Sequence, residues 1–441
     1  MTDLLRTLYN GVVVPAARLA LPIGRRASEK LDRGVEAREE VMARWQRAAR
    51  RLESREPRLW VHAASAGETL QARPLVEAIR ERVPGAAIAY SFFSPSAERY
   101  VESWDAADAA DYLPFDVRSE MRRMVELLRP DGLILVGAEA WPNLVWEATD
   151  RDVPVAQVCC RFGASPGRLR WPMRPVTEDL YGRLAAVGAV AEEDRQAVLD
   201  LGVAEAAVEV TGDTRVDVTL RRVEEARADP PPWKPPAGRG PVVVAGSTWR
   251  ADEAAILPAL ARLRKAHPEL LAVIAPHEPT DEALERIERL AEREDLWSVR
   301  LSNLEAGPGG RARGAPAIVL VDRVGLLYRL YEIADAAFVG GGFGGAVHNT
   351  MEPAAWRVPV VVGPDHGRPH EVEAMRRAGG LAVADSSRAL VDAWGGWLAR
   401  DVARDEAGRA ARRTLEELAG AAGRTLDFLG RRGFPDGRGE E

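Results

Sequence analysis

Short apolar runs alternate with helical stretches through most of this chain. Runs of strand length occupy residues 59–64, 86–93, 132–137 and 153–160 in the first half, and a turn with Gly, Ser or Pro follows several of them. Strands that alternate with helices predict a parallel, doubly wound α/β sheet. Ligands of such sheets bind outside the carboxyl ends of the strands, so we expect functional residues in the turns that follow these runs.

A proline-rich segment from Asp229 to Gly240 interrupts the alternation, which then starts again. Connectors of this composition are stiff and are common at domain boundaries. A length of 441 residues also suggests two or three domains. We therefore predict two Rossmann-like domains in a chain that is divided into an N-terminal segment 1–27, a first domain 28–228, a linker 229–240, a second domain 241–400 and a C-terminal helical segment 401–441.

A glycine cluster follows one predicted strand of the second domain. The apolar run 336–339 leads into five glycines between 340 and 345, and His348-Asn349-Thr350 stands where a helix is expected to begin. Glycines allow the backbone to approach a ligand closely, and a helix N-terminus attracts anions. The pattern predicts a site for a nucleotide phosphate. The alternative is a strand-to-helix turn whose glycines serve packing alone, and the spacing is not the GxGxxG of dinucleotide-binding domains.

Polar groups also follow three other predicted strands of the second domain. They belong to Gly246-Ser247-Thr248, to Pro276-His277-Glu278-Pro279 and to the turn from Asp322 to Gly325. Together with the glycine cluster they predict one ligand surface at consecutive strand ends. His277 could contact a phosphate, although a lone histidine more often packs. Glu352 could accept hydrogen bonds from a ribose diol or could simply complement a helix dipole. No Asp-x-Asp metal motif accompanies these turns.

The first domain offers two carboxylates at strand ends. Glu68 follows the run 59–64 in the sequence Ser65-Ala-Gly-Glu68, and Glu139 follows the run 132–137 in Glu139-Ala-Trp-Pro-Asn. Glu68 could act as a general base on an alcohol nucleophile, or it could be a first-turn glutamate that the helix dipole stabilises. Glu139 could orient an acceptor hydroxyl or pair with an arginine, or it could be structural.

Composition excludes several classes of protein. The formal net charge of −7 argues against a general nucleic-acid-binding protein. Cys159 and Cys160 are the only cysteines, and they form no CxxC or Cys/His spacing, which argues against structural zinc and fits a reducing compartment.

The N-terminal residues predict contact with a membrane surface. The apolar stretch 11–24 is too short to span a bilayer and contains two prolines. The first thirty residues carry the basic residues Arg6, Arg18, Arg25, Arg26 and Lys30. No cleavable signal peptide is evident. Such a segment is expected to lie on an anionic membrane, with a helix docked on the protein's own core as the alternative.

Six blocks of sequence, in order and covering residues 5 to 380, resemble the 3-deoxy-D-manno-octulosonic acid (Kdo) transferases. The blocks are Trp60 to Glu68 with Arg73-Pro74, Tyr112 to Asp116, Glu139 with Trp141-Pro-Asn143, Thr211-Gly212, Ala245 to Thr248, and Phe338 to Gly341 with His348-Asn349 and Glu352-Pro353. The resemblance implies a GT-B fold, with two Rossmann-like domains facing across a cleft. It also implies inverting, metal-independent transfer of Kdo from CMP-Kdo to a lipid A precursor at the cytoplasmic face of a bacterial inner membrane.

The resemblance also implies roles for individual residues. Glu68 corresponds to the general base, and Arg73 lies near the donor or the acceptor. Ser65 and Glu139 are further candidates for the acceptor side. The candidates for binding the CMP-sugar are Ser247, Thr248, His277, Gly325, Gly341, Gly342, His348, Asn349 and Glu352. No cofactor, metal ion, nucleic acid or obligate protein partner is expected.

Two departures from the family pattern leave the donor open. Many members have Pro-Arg-His-Pro where this chain has Pro276 to Pro279, so His277 would replace an arginine that contacts the CMP phosphate, and the glycine cluster is one residue shorter. The alternatives are another GT-B transferase or an epimerase that uses a UDP-sugar, and a membrane-associated binding protein without catalysis.

Overall fold

The computed structural model describes residues 2–102, 104–137, 139–162, 167–236, 240–305, 316–367 and 369–435. The β-strands of these residues are β1 (Arg58–Ala63), β2 (Ala87–Phe92), β3 (Ala109–Tyr112), β4 (Gly132–Val136), β5 (Val155–Cys160), β6 (Ala186–Ala189), β7 (Val208–Val210), β8 (Val242–Thr248), β9 (Leu271–Pro276), β10 (Ser298–Arg300), β11 (Ile318–Leu320), β12 (Ala336–Val339), β13 (Val360–Val362) and β14 (Leu381–Val383).

The α-helices of the same residues are α1 (Thr2–Leu8), α2 (Val14–Ala27), α3 (Glu29–Glu36), α4 (Val41–Leu52), α5 (Ala66–Arg82), α6 (Glu98–Val101), α7 (Arg118–Leu128), α8 (Pro142–Thr149), α9 (Arg174–Tyr181), α10 (Glu192–Leu199), α11 (Arg215–Ala226), α12 (Arg250–Ala266), α13 (Asp281–Arg293), α14 (Leu301–Glu305), α15 (Leu327–Leu330), α16 (Met351–Ala355), α17 (His370–Arg377), α18 (Ser387–Leu398), α19 (Asp401–Leu418) and α20 (Ala421–Arg431).

The chain forms two compact units. Unit 1 consists of Met1–Val218 and Ala419–Glu441, and unit 2 consists of Thr219–Leu418. The boundary therefore falls within α11, whereas the sequence analysis placed a linker at 229–240. The C-terminal helical segment is shared, because α19 belongs to unit 2 and α20 to unit 1, where the carboxylate of Asp217 accepts hydrogen bonds from the N–H groups of Gly420 and Ala422.

Unit 1 is built on a seven-stranded parallel sheet with the order β3-β2-β1-β4-β5-β6-β7. Strands β1, β2, β4 and β5 are almost wholly buried, because helices cover both faces of such a sheet. The chain leaves β1 toward β2 and β3 and then returns to the other side of β1 at β4. The order reverses between β1 and β4, so their carboxyl ends form the topological switch point.

Unit 2 repeats this arrangement. Its parallel sheet has the order β10-β11-β9-β8-β12-β13-β14, and its switch point lies between β8 and β12. The two sheets confirm the predicted fold class of two doubly wound α/β units. The edge strands β10 and β14, of three residues each, were not predicted.

The N-terminal helices dock on unit 1 along one side. Tyr9 lies in a π-helical turn, Tyr9–Val13, between α1 and α2, and its hydroxyl donates to Asp116 at 2.9 Å. Asp116 also accepts from the N–H groups of Asn143 and Leu144, so it caps α8. The Asn10 amide donates to the Asn143 side chain at 2.9 Å. Wherever the structure describes the chain, no helix is both long and apolar enough to cross a bilayer.

Asp116→Ala is expected to lower the free energy of unfolding by about 1–2 kcal/mol, because α8 loses its cap and the Tyr9 hydroxyl loses its acceptor. Tyr9→Phe is the matched control, since it removes only the hydroxyl bond and should cost about 1 kcal/mol or less. Urea unfolding followed by tryptophan fluorescence measures both. Equal stability of Asp116→Ala and the wild type would contradict this assignment of the cap.

Candidate functional site

Glu68 lies at the switch point of unit 1, in the first turn of α5. Ser65 caps this helix in a reciprocal arrangement with Glu68. The backbone N–H and the hydroxyl of Ser65 donate to Oε2 of Glu68 at 2.9 and 3.0 Å, and the Glu68 N–H approaches the Ser65 hydroxyl at 3.5 Å. The carboxylate is therefore held at one oxygen.

Gly137 makes room for the Glu68 side chain. This glycine follows β4 directly and has a φ of 94°. A Cβ at residue 137 would lie 3.0 Å from both Cγ and Cδ of Glu68 and closer still to Oε1. A larger residue at position 137 would displace the Glu68 carboxyl group, so the site requires a residue without a side chain after β4. The Gln157 side chain on β5 donates to the Gly137 carbonyl at 2.9 Å and fixes this turn.

Burial raises the pKa of Glu68 to about 7, and the negative charge of Glu139 acts in the same direction. The hydrogen bonds from Ser65 oppose the shift because they stabilise the carboxylate. A carboxyl group with this pKa is half ionised near neutral pH and is a stronger base than an ordinary glutamate. Such a group suits general-base catalysis.

The other candidates of unit 1 surround Glu68. Glu139 is exposed and lies close enough to act on the Glu68 charge. The Arg73 guanidinium lies over the Trp104 ring, 5.6 Å from its centroid. The Nε of Arg73 is buried and has no hydrogen-bond partner among the described residues. The sequence thus placed Ser65, Glu68 and Glu139 correctly at strand ends, and their roles toward an acceptor stay predictions.

The glycine cluster of unit 2 is organised by a carboxylate of its own unit. Asp252, which is buried in the first turn of α12, accepts hydrogen bonds from the N–H groups of Gly341 at 2.8 Å and Phe343 at 3.2 Å. It also accepts from the N–H of Trp249 at 2.8 Å. Two amides of this loop are therefore already bonded, and one of them belongs to Gly341, a predicted donor-binding residue.

Gly341 and Gly342 are required by the backbone itself. Gly341 has a φ of 100°, which favours glycine, and a Cβ at Gly342 would lie 2.6 Å from the Gly363 nitrogen. The packing interpretation of the cluster thus holds at these two positions, and any contact with a ligand would be additional.

The helix after the glycine cluster begins where the sequence predicted. Asn349 and Thr350 were the candidates for its cap, and Thr350 is the N-cap residue of α16, which begins at Met351 and has five residues. The Asn349 side chain accepts from the Met351 N–H at 3.0 Å, and Arg357 adopts a φ of 63° two residues after the helix ends. A helix this short has a weak dipole, so the predicted dipole attraction for a phosphate is small.

Glu352 is the carboxylate at this end of unit 2. Burial raises its pKa, while Arg222 at 3.8 Å and the Asn349 side chain act in the opposite direction. A partly buried carboxylate beside an asparagine can accept hydrogen bonds from a diol, and its role in binding a ribose stays a prediction.

Ser247 and Thr248 close β8. Ser247 adopts a φ of 53°, at a register shift between Gly246 and Thr248. The Thr248 side chain is buried and donates to Glu253, which pairs with Arg286 at 2.8 Å. Thr248 is thus tied into an internal network. Gly325, with a φ of 89°, forms the exposed turn between β11 and α15.

Three aromatic rings meet at the ends of β8, β9 and β12. The His277 ring stacks on both Trp249, at a centroid distance of 4.6 Å, and His348, at 4.4 Å. The Trp249 and His348 centroids are 6.2 Å apart, so these two rings lie side by side. The Trp249 indole N–H donates to Nε2 of His348 at 2.8 Å. The structure therefore brings together the predicted residues His277 and His348, and it adds Trp249.

The sequence analysis missed Gly137, Asp252 and Trp249. Gly137 directly follows an apolar run, and a glycine there could have signalled a close approach. Asp252 resembles an ordinary acidic residue of a first helical turn, so its sequence gives no specific signal. Among the described side chains, no three His, Cys, Asp or Glu groups lie together as a possible metal site.

Comparisons with known proteins identify relatives of this chain. Residues 39–218 match the family described as 3-deoxy-D-manno-octulosonic-acid transferase (kdotransferase). The 3-deoxy-D-manno-octulosonic acid transferase of Bordetella pertussis is 32% identical over 384 residues, which cover 84% of this chain and 86% of the relative. The enzyme of the same name from Haemophilus influenzae is 27% identical over 382 residues, with coverage of 84% and 86%.

Solved structures share the fold over most of the chain. The UDP-GlcNAc 2-epimerase from Neisseria meningitidis superimposes with a TM-score of 0.62 over 85% of this chain and 100% of that structure, at 14% sequence identity. At this identity the likeness concerns the fold alone.

Asp252→Ala is expected to leave the N–H groups of Gly341 and Phe343 without their acceptor, at a cost of about 1–3 kcal/mol in stability. Hydrogen exchange of residues 340–346 should accelerate in the variant. Asp392→Ala, on α18 of the same unit, is the control and should leave that exchange unchanged. Unaltered exchange in Asp252→Ala would contradict the role of this carboxylate.

Proposed function

This chain belongs to the 3-deoxy-D-manno-octulosonic acid (Kdo) transferase family, and we propose that it transfers Kdo from CMP-Kdo to a lipid A precursor with Glu68 as the general base. As a member of this family it is a glycosyltransferase of lipopolysaccharide biosynthesis. The donor nucleotide, the inverting course, the independence from metal ions and the residue roles are the proposed parts. The observation that carries the assignment of the base is the partly buried Glu68 carboxyl group, with its raised pKa, at the switch point of unit 1.

In the proposed reaction an acceptor hydroxyl attacks the anomeric carbon of Kdo. The new bond joins the hydroxyl oxygen to that carbon, and the bond between the carbon and the phosphate oxygen of CMP breaks. Glu68 takes the hydroxyl proton, and CMP leaves with the bonding electron pair. Attack from the side opposite to CMP inverts the anomeric centre. A base with a pKa near 7 accepts the proton readily at neutral pH and then releases it to solvent.

Unit 1 holds the acceptor in this proposal. Ser65 fixes one oxygen of Glu68 and leaves Oε1 beside Gly137 for the acceptor hydroxyl. Arg73 is suited to an acceptor phosphate or to the sugar carboxylate, because its buried Nε has no partner among the described residues. Exposed Glu139 would orient a second hydroxyl, in addition to raising the pKa of Glu68.

Unit 2 holds the donor in this proposal. The switch point between β8 and β12 gathers Ser247, His277 and His348 on separate strand ends. Imidazole N–H groups would bind the phosphate, and Glu352 with Asn349 would bind the ribose diol. Gly325 and the glycines at 341 and 342 would line the site through their backbone. In the metal-independent reaction, these hydrogen-bond donors stabilise the leaving phosphate.

The N-terminal helices would rest on the cytoplasmic face of the bacterial inner membrane. The side that does not dock on unit 1 exposes a stripe of aliphatic side chains, namely Leu4, Leu8, Val12, Leu19 and Ile23. Leu19 and Ile23 are 79% and 72% exposed. Basic residues Arg18 and Arg26 lie on the same helix and favour anionic lipid headgroups. A lipid acceptor would then reach unit 1 from the membrane surface.

Glu68→Gln is expected to reduce the turnover number by a factor on the order of 10² or more, because the amide cannot take a proton. Affinity for CMP should stay close to that of the wild type, since Glu68 lies in unit 1. In the wild type, kcat/KM should fall about tenfold for each pH unit below 7, as Glu68 becomes protonated. The assay is incubation with in situ generated CMP-Kdo and a tetra-acylated lipid A precursor, read by mass.

Glu77→Gln on the same helix is the control and should keep normal turnover. Near-wild-type turnover in Glu68→Gln would remove Glu68 from the role of base. Absence of a Kdo-sized mass increase with the wild type, together with stabilisation by UDP rather than CMP in a thermal-shift experiment, would contradict the proposed donor.

Leu19→Glu is expected to weaken binding to vesicles that contain anionic lipid at least about tenfold, because it removes apolar contact and adds repulsion. Val402→Glu on α19 is the matched control, since Val402 is 70% exposed and lies outside the N-terminal helices. Sedimentation with vesicles measures binding, and circular dichroism checks folding. Equal binding of the two variants would contradict the proposed membrane surface.

A further inference from the structure

The three stacked rings of unit 2 form a defined hydrogen-bonded group. Trp249 follows β8, His277 follows β9, and His348 lies beyond β12, so each ring comes from a different strand end. The planes of Trp249 and His277 are inclined by 27°, and those of His277 and His348 by 15°. Trp249 is 44% exposed, although its indole N–H is bonded to His348. Surface packing alone does not require this bond.

The bond determines where His348 carries its proton. An indole Nε1–H can only donate, so Nε2 of His348 must accept and has no proton. The neutral imidazole therefore carries its proton on Nδ1. Protonation of both nitrogens would place an Nε2–H against the indole N–H and break the bond. Trp249 thus selects one tautomer and opposes the charged form.

The surroundings of His348 act in the same direction. Burial lowers the pKa of His348, and the neighbouring His277 lowers it further, while Asp252 opposes this. The backbone N–H of His348 donates to the Gly340 carbonyl at 3.0 Å, and this bond fixes the backbone of His348. The Asp252 carboxylate accepts hydrogen bonds from the backbone N–H groups of Trp249 and Gly341. One carboxylate therefore aligns the segment that carries Trp249 with the loop that leads to His348.

We propose that Trp249 is a positioning residue for the donor site, which fixes His348 as a neutral Nδ1–H donor and holds His277 in the stack. The proposal rests on the proposed function, in which the ligand of this surface is the phosphate of a nucleotide-sugar. His348 then offers the phosphate an N–H without carrying a charge. His277 lies on the face of the Trp249 indole, which fixes the plane of its ring.

The test is Trp249→Phe, which keeps an aromatic ring for stacking and removes the N–H donor. Selective ¹⁵N labelling of the six histidines allows NMR to report the tautomer of each ring in the ligand-free protein, with His348→Gln to assign the signal. In the wild type, His348 should show a protonated Nδ1 and an unprotonated Nε2. In Trp249→Phe this preference should be lost. Trp397→Phe, on α18 of the same unit, is the control and should retain it.

The functional test compares KM for CMP-Kdo and kcat in the wild type and in Trp249→Phe. Calorimetry measures the affinity of both proteins for CMP. Loss of one hydrogen bond to the ligand should raise KM and the Kd for CMP about three- to tenfold and leave kcat nearly unchanged. An unchanged His348 tautomer in Trp249→Phe would overturn the proposal, as would a changed tautomer with unaltered KM and CMP affinity. Failure of the wild type to bind CMP would instead overturn the proposed donor, since the NMR measurement uses no ligand.

Discussion

The carboxyl group of Glu68 lies against the bare Cα of Gly137, and this contact determines the chemistry of unit 1. A side chain at residue 137 would displace the carboxyl group, since a Cβ there would overlap it. The contact removes water from Glu68, while the hydrogen bonds from Ser65 keep the carboxyl group in place. Burial therefore raises the pKa without loss of orientation. The contact joins the ends of β1 and β4, the two strands between which the order of the sheet reverses.

Unit 2 also places a carboxylate at its switch point, but this one is structural. Asp252 occupies two amides of the glycine cluster, so the cluster is ordered without a ligand. In the proposed function the phosphate of the donor is therefore bound by other groups, namely the imidazoles of His277 and His348. This arrangement fits the absence of an arginine at the position of His277. The same fold thus places Glu68 as the proposed base in unit 1 and Asp252 as a structural carboxylate that orders the glycine cluster in unit 2.

The sequence predicted the elements of the fold better than their arrangement. The strand 336–339 has the predicted limits, and Glu68 and His277 follow strands as expected. Ser247 and Thr248 were expected in a turn, but they are the last residues of β8. Strand order depends on tertiary pairing, so the two switch points could not be read from local pattern. The start of the helix at Met351 was also predicted, because Thr350 was one of the two cap candidates and is its N-cap residue. The solved epimerase from Neisseria meningitidis shares the fold at 14% identity, whereas the Bordetella pertussis relative at 32% identity is a Kdo transferase, so the comparisons add only a shared architecture to the UDP-sugar alternative.

The proposed chemistry of unit 1 depends most on the ionisation of the Glu68 carboxyl group, which can be observed directly. Infrared difference spectra of the wild type and Glu68→Gln, recorded as the pH is varied, isolate the carboxyl and carboxylate bands of Glu68. The account predicts a midpoint near 7, and a lower midpoint in Glu139→Gln, because the second negative charge is then absent. A midpoint near 4.5, the ordinary value for glutamate, would show that Glu68 is well solvated. It would contradict the raised pKa on which the proposed role of Glu68 as general base depends.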